Sequence, residues 1–193
     1  MKRDWKTTET RPAGDFSIFT LRLDRSVSPE TGFEKEWTVL ESNDWVNVVP
    51  VTPEGEIVLI RQYRHGTGAY TIEIPGGGID RADRDGAEAA GRELGEETGY
   101  EAERLVHIGT VEPNPAFQTN RCFTYLAENA VLRGPQRLDP GEEIEVFRVR
   151  EAEVWRMIRE GEIAHALVVA AFYWYAVRAG GPEGSDPFAF ETL

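Results

Sequence analysis

PGGGIDRADRDGAEAAGRELGEETGY, residues Pro75 to Tyr100, carries more information about fold and chemistry than any other stretch of this 193-residue chain. A run of glycines leads, through an acidic and basic linker, into a short helix. Asp85 is placed to cap that helix, and Glu88, three residues on, completes a capping-box pattern. Ala87, Ala90 and Leu94 form its apolar stripe, and Gly99 stops it. Glu93, Glu96 and Glu97 fall within an arc of roughly 100° on that helix. Like charges at i,i+4 oppose a helix by roughly 0.2–0.5 kcal/mol per pair. Arg92 offsets only part of this. A divalent cation would remove most of it, and hard oxygen donors are what Mg²⁺ accepts. The stretch therefore predicts a metal site that also handles phosphate.

Working outward, Phe16–Leu23 alternates in polarity and predicts a strand, followed by a turn at Pro29-Glu-Thr-Gly32 and a second strand at Glu36–Leu40. Trp45–Val51 and Glu56–Arg61 flank Pro53-Glu-Gly55, which predicts a hairpin. Further strands are expected at Ala69–Ile74, Leu105–Glu112, Arg121–Leu126 and Ile144–Val149. Helices are expected at Ala152–Arg159 and Ile163–Ala179, the second ending at Gly180-Gly181. The pattern is that of an α+β chain with a mixed sheet, helices interspersed, and a strand-rich N-terminal arm.

The composition is 40% hydrophobic, enough for a real core, and the net charge is −13. That charge argues against nucleic acid as the main partner, because phosphate backbones are held by Lys and Arg. The lone Cys122 excludes an intrachain disulfide and a cysteine zinc cluster. The N-terminal residues lack the apolar run of a secretory signal, and no apolar run is long enough for a membrane span. A cytoplasmic address is expected.

Gly78, five residues, position 84, seven residues, then Arg92-Glu93-Leu94-Gly95-Glu96-Glu97-Thr98-Gly99-Tyr100 resembles the Nudix hydrolase box, G-x5-E-x7-R-E-U-x-E-E-x-G-U, with U a bulky apolar residue. One signature position departs: Arg84 stands where glutamate is expected. Tyr100 fits the last position loosely. The resemblance extends to Ile60-Arg-Gln-Tyr-Arg64, Ile72-Glu-Ile-Pro-Gly76 and Glu112-Pro-Asn-Pro-Ala-Phe117, which look like the ADP-ribose pyrophosphatase branch, whose mark is a proline such as Pro115 about fifteen residues past the box. Gly141-Glu-Glu-Ile-Glu-Val146 resembles that branch's late acidic loop.

The resemblance implies an α/β/α sandwich with three parts. Residues 1–44 would be an N-terminal arm for dimerisation and for completing the nucleotide pocket, so a homodimer is expected. Residues 45–181 would be the hydrolase domain, and 182–193 a C-terminal tail. It implies a Mg²⁺-dependent hydrolase, with Mn²⁺ as a substitute, acting on the diphosphate linkage of a nucleoside diphosphate sugar, ADP-ribose first. Glu93, Glu96 and Glu97 would be metal ligands, with the Gly77 carbonyl. Arg92 would orient the glutamates through charge-assisted hydrogen bonds. The catalytic base would come from the acidic loop: Glu142 first, then Glu143, then Glu145. Arg61 and Arg64 would hold phosphate, Glu73 would contact substrate or metal, and Phe117 would shape the pocket.

Plainer readings stand beside these. The helix glutamates could form a solvated face, Arg61 and Arg64 could be strand-edge charges, and Glu73 an outward strand residue. Glu142, Glu143 and Glu145 could be ordinary loop charges. His65, His107 and His165 show no ligand spacing. Arg84 could pair with Glu88 or meet a phosphate, while Asp80 or Asp83 is a candidate replacement carboxylate. Two further functions compete: hydrolysis of another nucleoside diphosphate derivative such as a dinucleotide, and a degenerate domain that binds nucleotide without cleaving it.

Overall fold

The computed structural model describes residues 4–179. The expected tail at 182–193, and Gly180-Gly181 as the stop of the last helix, lie outside the described residues. The chain divides into two compact units: Met1–Asp44 with Glu112–Arg121, and Trp45–Val111 with Cys122–Leu193.

The first unit is built on an antiparallel sheet of β1 (Lys6–Asp15), β2 (Thr20–Val27) and β3 (Glu34–Glu41), in that order. The strand expected at Phe16–Leu23 begins instead at Thr20. Phe16 to Phe19 make the bend into it, with the Phe16 N–H donating to the Phe19 carbonyl at 2.9 Å. β1 has no counterpart in the sequence reading. It is exposed along nearly its whole length, so no burial alternation marks it. The 112–121 segment rejoins this unit through Leu40, whose N–H donates to the Phe117 carbonyl at 2.7 Å.

The second unit contains β4 (Trp45–Pro50), β5 (Glu56–Arg64), β6 (Ala69–Glu73), β7 (Gly76–Gly78), helix α1 (Gly86–Thr98), β8 (Tyr100–Glu101), β9 (Arg104–Val111), β10 (Cys122–Glu128), β11 (Val131–Leu132), β12 (Ile144–Arg150), α2 (Glu151–Arg159) and α3 (Ala166–Ala179). Two sheets dominate. One runs β7-β4-β10-β9, with β4 and β10 parallel, and the other is antiparallel, β12-β5-β6.

Pleating places alternate β4 side chains on opposite faces. Val46 and Val48 pack with Ala89, Ala90 and Leu94 of α1. Val49 packs with Val168, Ala171 and Phe172 of α3, and the Asn47 amide donates to the Leu167 carbonyl. Helices thus cover both faces, as expected for an α/β/α sandwich. Each fully buried large apolar side chain, such as Leu94 or Phe172, contributes about 1.5–3 kcal/mol.

The hairpin expected around Pro53-Glu-Gly55 keeps its turn, closed by the Gly55 N–H on the Thr52 carbonyl at 2.9 Å, but its strands part. Beyond one bridge, Val51 to Ile57, β4 and β5 enter different sheets. Val46 to Val49 and Ile57 to Ile60 are buried without a break, and strands buried on both faces take partners on each side. α3 starts at Ala166 rather than Ile163, with the Leu167 N–H on the His165 ring at 3.2 Å. Cys122 is buried, and burial pushes its thiol up to about 12. Among the described residues no helix is long and apolar enough to cross a membrane.

Candidate active site

The glycine run is an edge strand. Gly76, Gly77 and Gly78 pair with Asn47, Val46 and Trp45 of β4. This pins the glycines beneath the face of α1 that carries the glutamates. α1 begins as expected, the Asp85 carboxylate accepting the Ala87 and Glu88 N–H groups at 3.0 Å each. It ends at Gly99, whose φ of 74° is the left-handed conformation that favours glycine. The capping box does not close, because Glu88 turns to the Arg84 N–H at 2.6 Å instead.

Gly77 packs directly against Glu93. A β-carbon there would meet the Glu93 carboxylate, lying 2.7 Å from Cδ. Glu97 is 4% exposed and accepts the Gly76 N–H at 2.8 Å. Burial pushes the Glu97 carboxyl up to about 8, and the charges of Glu93 and Glu142 add to that effect against the Gly76 hydrogen bond. Glu93 is also raised, first by burial, with Glu96 and Glu142 adding to it and Arg92 opposing. The fold therefore holds carboxylates against their own desolvation and mutual repulsion.

Arg92 is the hub of the site. It reaches Glu93 at 2.9 Å, Glu96 at 3.1 Å and the Gly78 carbonyl at 3.0 Å. It also makes a two-armed pair with Asp83, at 3.2 and 3.0 Å. The Asp83 side chain is 4% exposed, and the hydrogen bonds from Arg92 hold its carboxyl below the usual range. Asp83 is thus a partner of Arg92, an arrangement the sequence reading did not foresee. Arg84 points away into solvent, 84% exposed and paired with Glu88 at 3.0 Å.

Arg64 and Glu73, expected to touch substrate separately, grip each other. Both arms of the guanidinium reach the carboxylate at 2.7 Å, and the Thr71 hydroxyl adds a bond at 2.5 Å. Glu73 is therefore an inward residue, 3% exposed. Burial raises its carboxyl, but Arg64 and Thr71 outweigh burial and leave it below the usual range. The hydrogen bonds to Glu73 raise the Arg64 guanidinium, and the charges of Glu97 and Glu142 add to that. Arg61 pairs with Glu145 at 3.2 Å and lies over the Phe147 ring at 5.9 Å. Phe117 lies in the first unit.

In the acidic loop, the Asp139 N–H donates to the Glu142 carboxylate at 3.0 Å. Glu143 and Glu145 line a cleft of about 560 Å³ together with Arg61, Tyr70, Leu138 and Ile144. The structure thus links Glu93 and Glu96 with Arg92, Glu93 with Gly77 and Glu97 with Gly76 by contact, and Glu142 with Glu93, Glu97 and Arg64 by charge. Among the described residues, no three His, Cys, Asp or Glu side chains already converge on one point. The donor chemistry nevertheless suits a hard divalent cation: two desolvated carboxylates one turn apart, packed on a backbone with no β-carbon.

The constellation gathers carboxylates on one face of a helix, on a strand–loop–helix motif. Residues 27–172 match the NUDIX domain, and the chain belongs to the Nudix hydrolase family. An ADP-ribose pyrophosphatase of Bacillus subtilis is 31% identical over 134 residues, 69% of this chain and 72% of that protein. An ADP-ribose pyrophosphatase of Mycobacterium tuberculosis is 28% identical over 170 residues, covering 88% and 82%. A solved structure described as an ADP compounds hydrolase superposes with a TM-score of 0.84 at 21% identity, covering 95% of this chain and 98% of that one. This last likeness concerns the fold.

Proposed function

We propose that the chain hydrolyses the diphosphate linkage of a nucleoside diphosphate sugar, with ADP-ribose the leading substrate and AMP and ribose 5-phosphate the products. The observation that carries this reading is the packing of the signature helix on the glycine strand: Glu97, 4% exposed, accepts the Gly76 N–H at 2.8 Å, and the Glu93 carboxylate, one turn away, lies against Gly77. Such a pair is costly in an empty protein and is relieved when a cation arrives. The names of the bacterial relatives support the choice of ADP-ribose.

Glu93 and Glu97, with Glu96 and the Gly77 carbonyl, would hold Mg²⁺ or Mn²⁺. When bound, the cation would offset the negative charge of the diphosphate oxygens as one phosphorus–oxygen bond breaks. The chain's own residues do the rest. Arg92, fixed by Asp83, keeps Glu93 and Glu96 oriented and ties the helix to the Gly78 carbonyl. Glu142 takes a proton from the attacking water, a contribution of roughly 10²–10⁴-fold, with Glu143 the second candidate. Arg61, on the cleft wall, meets substrate phosphate. Arg64 acts mainly by fixing Glu73. The arm at 1–44 would serve dimerisation.

A panel of ADP-ribose, other sugar nucleotides and dinucleotides, run with and without Mg²⁺, tests this. ADP-ribose is expected to give the highest kcat/KM. A dinucleotide preferred over every sugar nucleotide would move the assignment to the competing hydrolase. Nucleotide binding with no cleavage of any compound would leave a binding domain.

A further inference from the structure

The acidic loop is fastened to the helix by residues the signature does not contain. The last four carbonyls of an α-helix have no partners within it. In α1 the Gly95 carbonyl accepts the Gly99 N–H at 3.0 Å, and the Glu96 carbonyl accepts the Arg137 N–H at 2.8 Å. The Glu97 carbonyl accepts the side-chain amide of Gln136 at 2.6 Å. The same Gln136 nitrogen donates to the Ile144 carbonyl at 3.0 Å. Both acceptors are carbonyl oxygens, so only the NH₂ end of this amide can face them. One side chain therefore joins the end of the glutamate helix to the first residue of β12.

Between Gln136 and Ile144 the chain leaves the helix and returns, carrying Glu142 and Glu143. Its tip is a turn, the Glu142 N–H donating to the Asp139 carbonyl at 3.0 Å, with Gly141 at φ 95°.

We infer that Gln136 is a positioning residue: its amide clamps both feet of the acidic loop to the C-terminal end of α1 and so fixes where Glu142 sits. The inference rests on the reading of Glu142 as proton acceptor. Displacing such a group by about 1 Å costs on the order of 100-fold in rate. Leucine at 136 would keep the bulk and lose the donor, and glutamate would set acceptors against acceptors.

The test is a double-mutant cycle on the full chain with ADP-ribose and Mg²⁺. Gln136→Leu is expected to lower kcat about 10–100-fold while KM stays within about twofold. Glu142→Gln is expected to lower kcat about 100-fold. The double variant is expected to be no slower than Glu142→Gln, because a clamp has nothing to position once the base is gone. Gln136→Asn, which keeps the amide but loses one methylene of reach, is expected to show the same kcat loss and serves if the leucine variant does not fold. A wild-type kcat in both Gln136 variants, or a loss that multiplies with that of Glu142→Gln, overturns the clamp and leaves the reading of Glu142 intact. A wild-type rate in Glu142→Gln overturns that reading and the clamp with it.

Discussion

The Glu93 carboxylate occupies the space a side chain at Gly77 would need, its Cδ 2.7 Å from where a β-carbon would sit. Gly77→Ala is therefore expected to displace Glu93 or the edge strand. Mg²⁺-dependent kcat/KM should fall at least about 10-fold, with circular dichroism unchanged. A Gly77→Ala enzyme with wild-type kinetics would show that this contact is not part of the working site.

Glu97 makes opposite predictions for activity and stability. Glu97→Gln should nearly abolish turnover while the fold persists. Its carboxyl lies at about 8 in the folded protein against an ordinary 4.5. A raised carboxyl contributes stability that is full below the ordinary value and is lost as pH rises through the folded one. The metal-free protein should therefore weaken between about pH 4.5 and 8, by on the order of 5 kcal/mol at most. Melting scans in EDTA should show this loss in wild type and not in Glu97→Gln, and Mg²⁺ at pH 8 should reverse it. A melting temperature flat across that window would contradict the burial of an ionised Glu97.

The Arg64–Glu73 pair should behave as structure first. Removing Arg64 leaves a carboxylate buried at 3% exposure. Arg64 itself is 40% exposed, so solvent moderates the effect. Arg64→Ala is expected to cost about 2–3 kcal/mol in denaturant unfolding, and Arg64→Ala with Glu73→Gln should recover much of that. A double variant no better than the single would contradict the uncompensated-charge account.

Asp83 and Arg84 divide sharply although adjacent. Asp83→Asn removes the charge that holds Arg92 and is expected to reduce kcat about 10-fold. Arg84→Ala breaks only an exposed pair with Glu88, and kcat should stay within about threefold. Steady-state kinetics on both variants decide this, and the reverse ranking would contradict the network around Arg92.

These residues show what was legible in the sequence. The α1 start at Asp85, its stop at Gly99 and the spacing of Glu93, Glu96 and Glu97 depend on local chemistry within a few residues, so they could be read directly. Asp83 was visible as a carboxylate but not as the partner of Arg92, because the linker that folds it back has no periodicity. Glu73 alternates with Ile72 and Ile74 and so read as a possible outward residue. Its inward course depends on pairing between β5 and β6, which places Glu73 opposite Ile60. Gln136 gave no signal at all. Its role comes from two carbonyls, at Glu97 and Ile144, that only the folded chain brings within reach of one amide.

The most direct measurement is chromatography of ADP-ribose incubated with the protein in millimolar Mg²⁺, and again in EDTA. AMP and ribose 5-phosphate in equal amounts, formed with Mg²⁺ and not with EDTA, is the result expected. Intact ADP-ribose in the Mg²⁺ sample, or equal cleavage in EDTA, would contradict it.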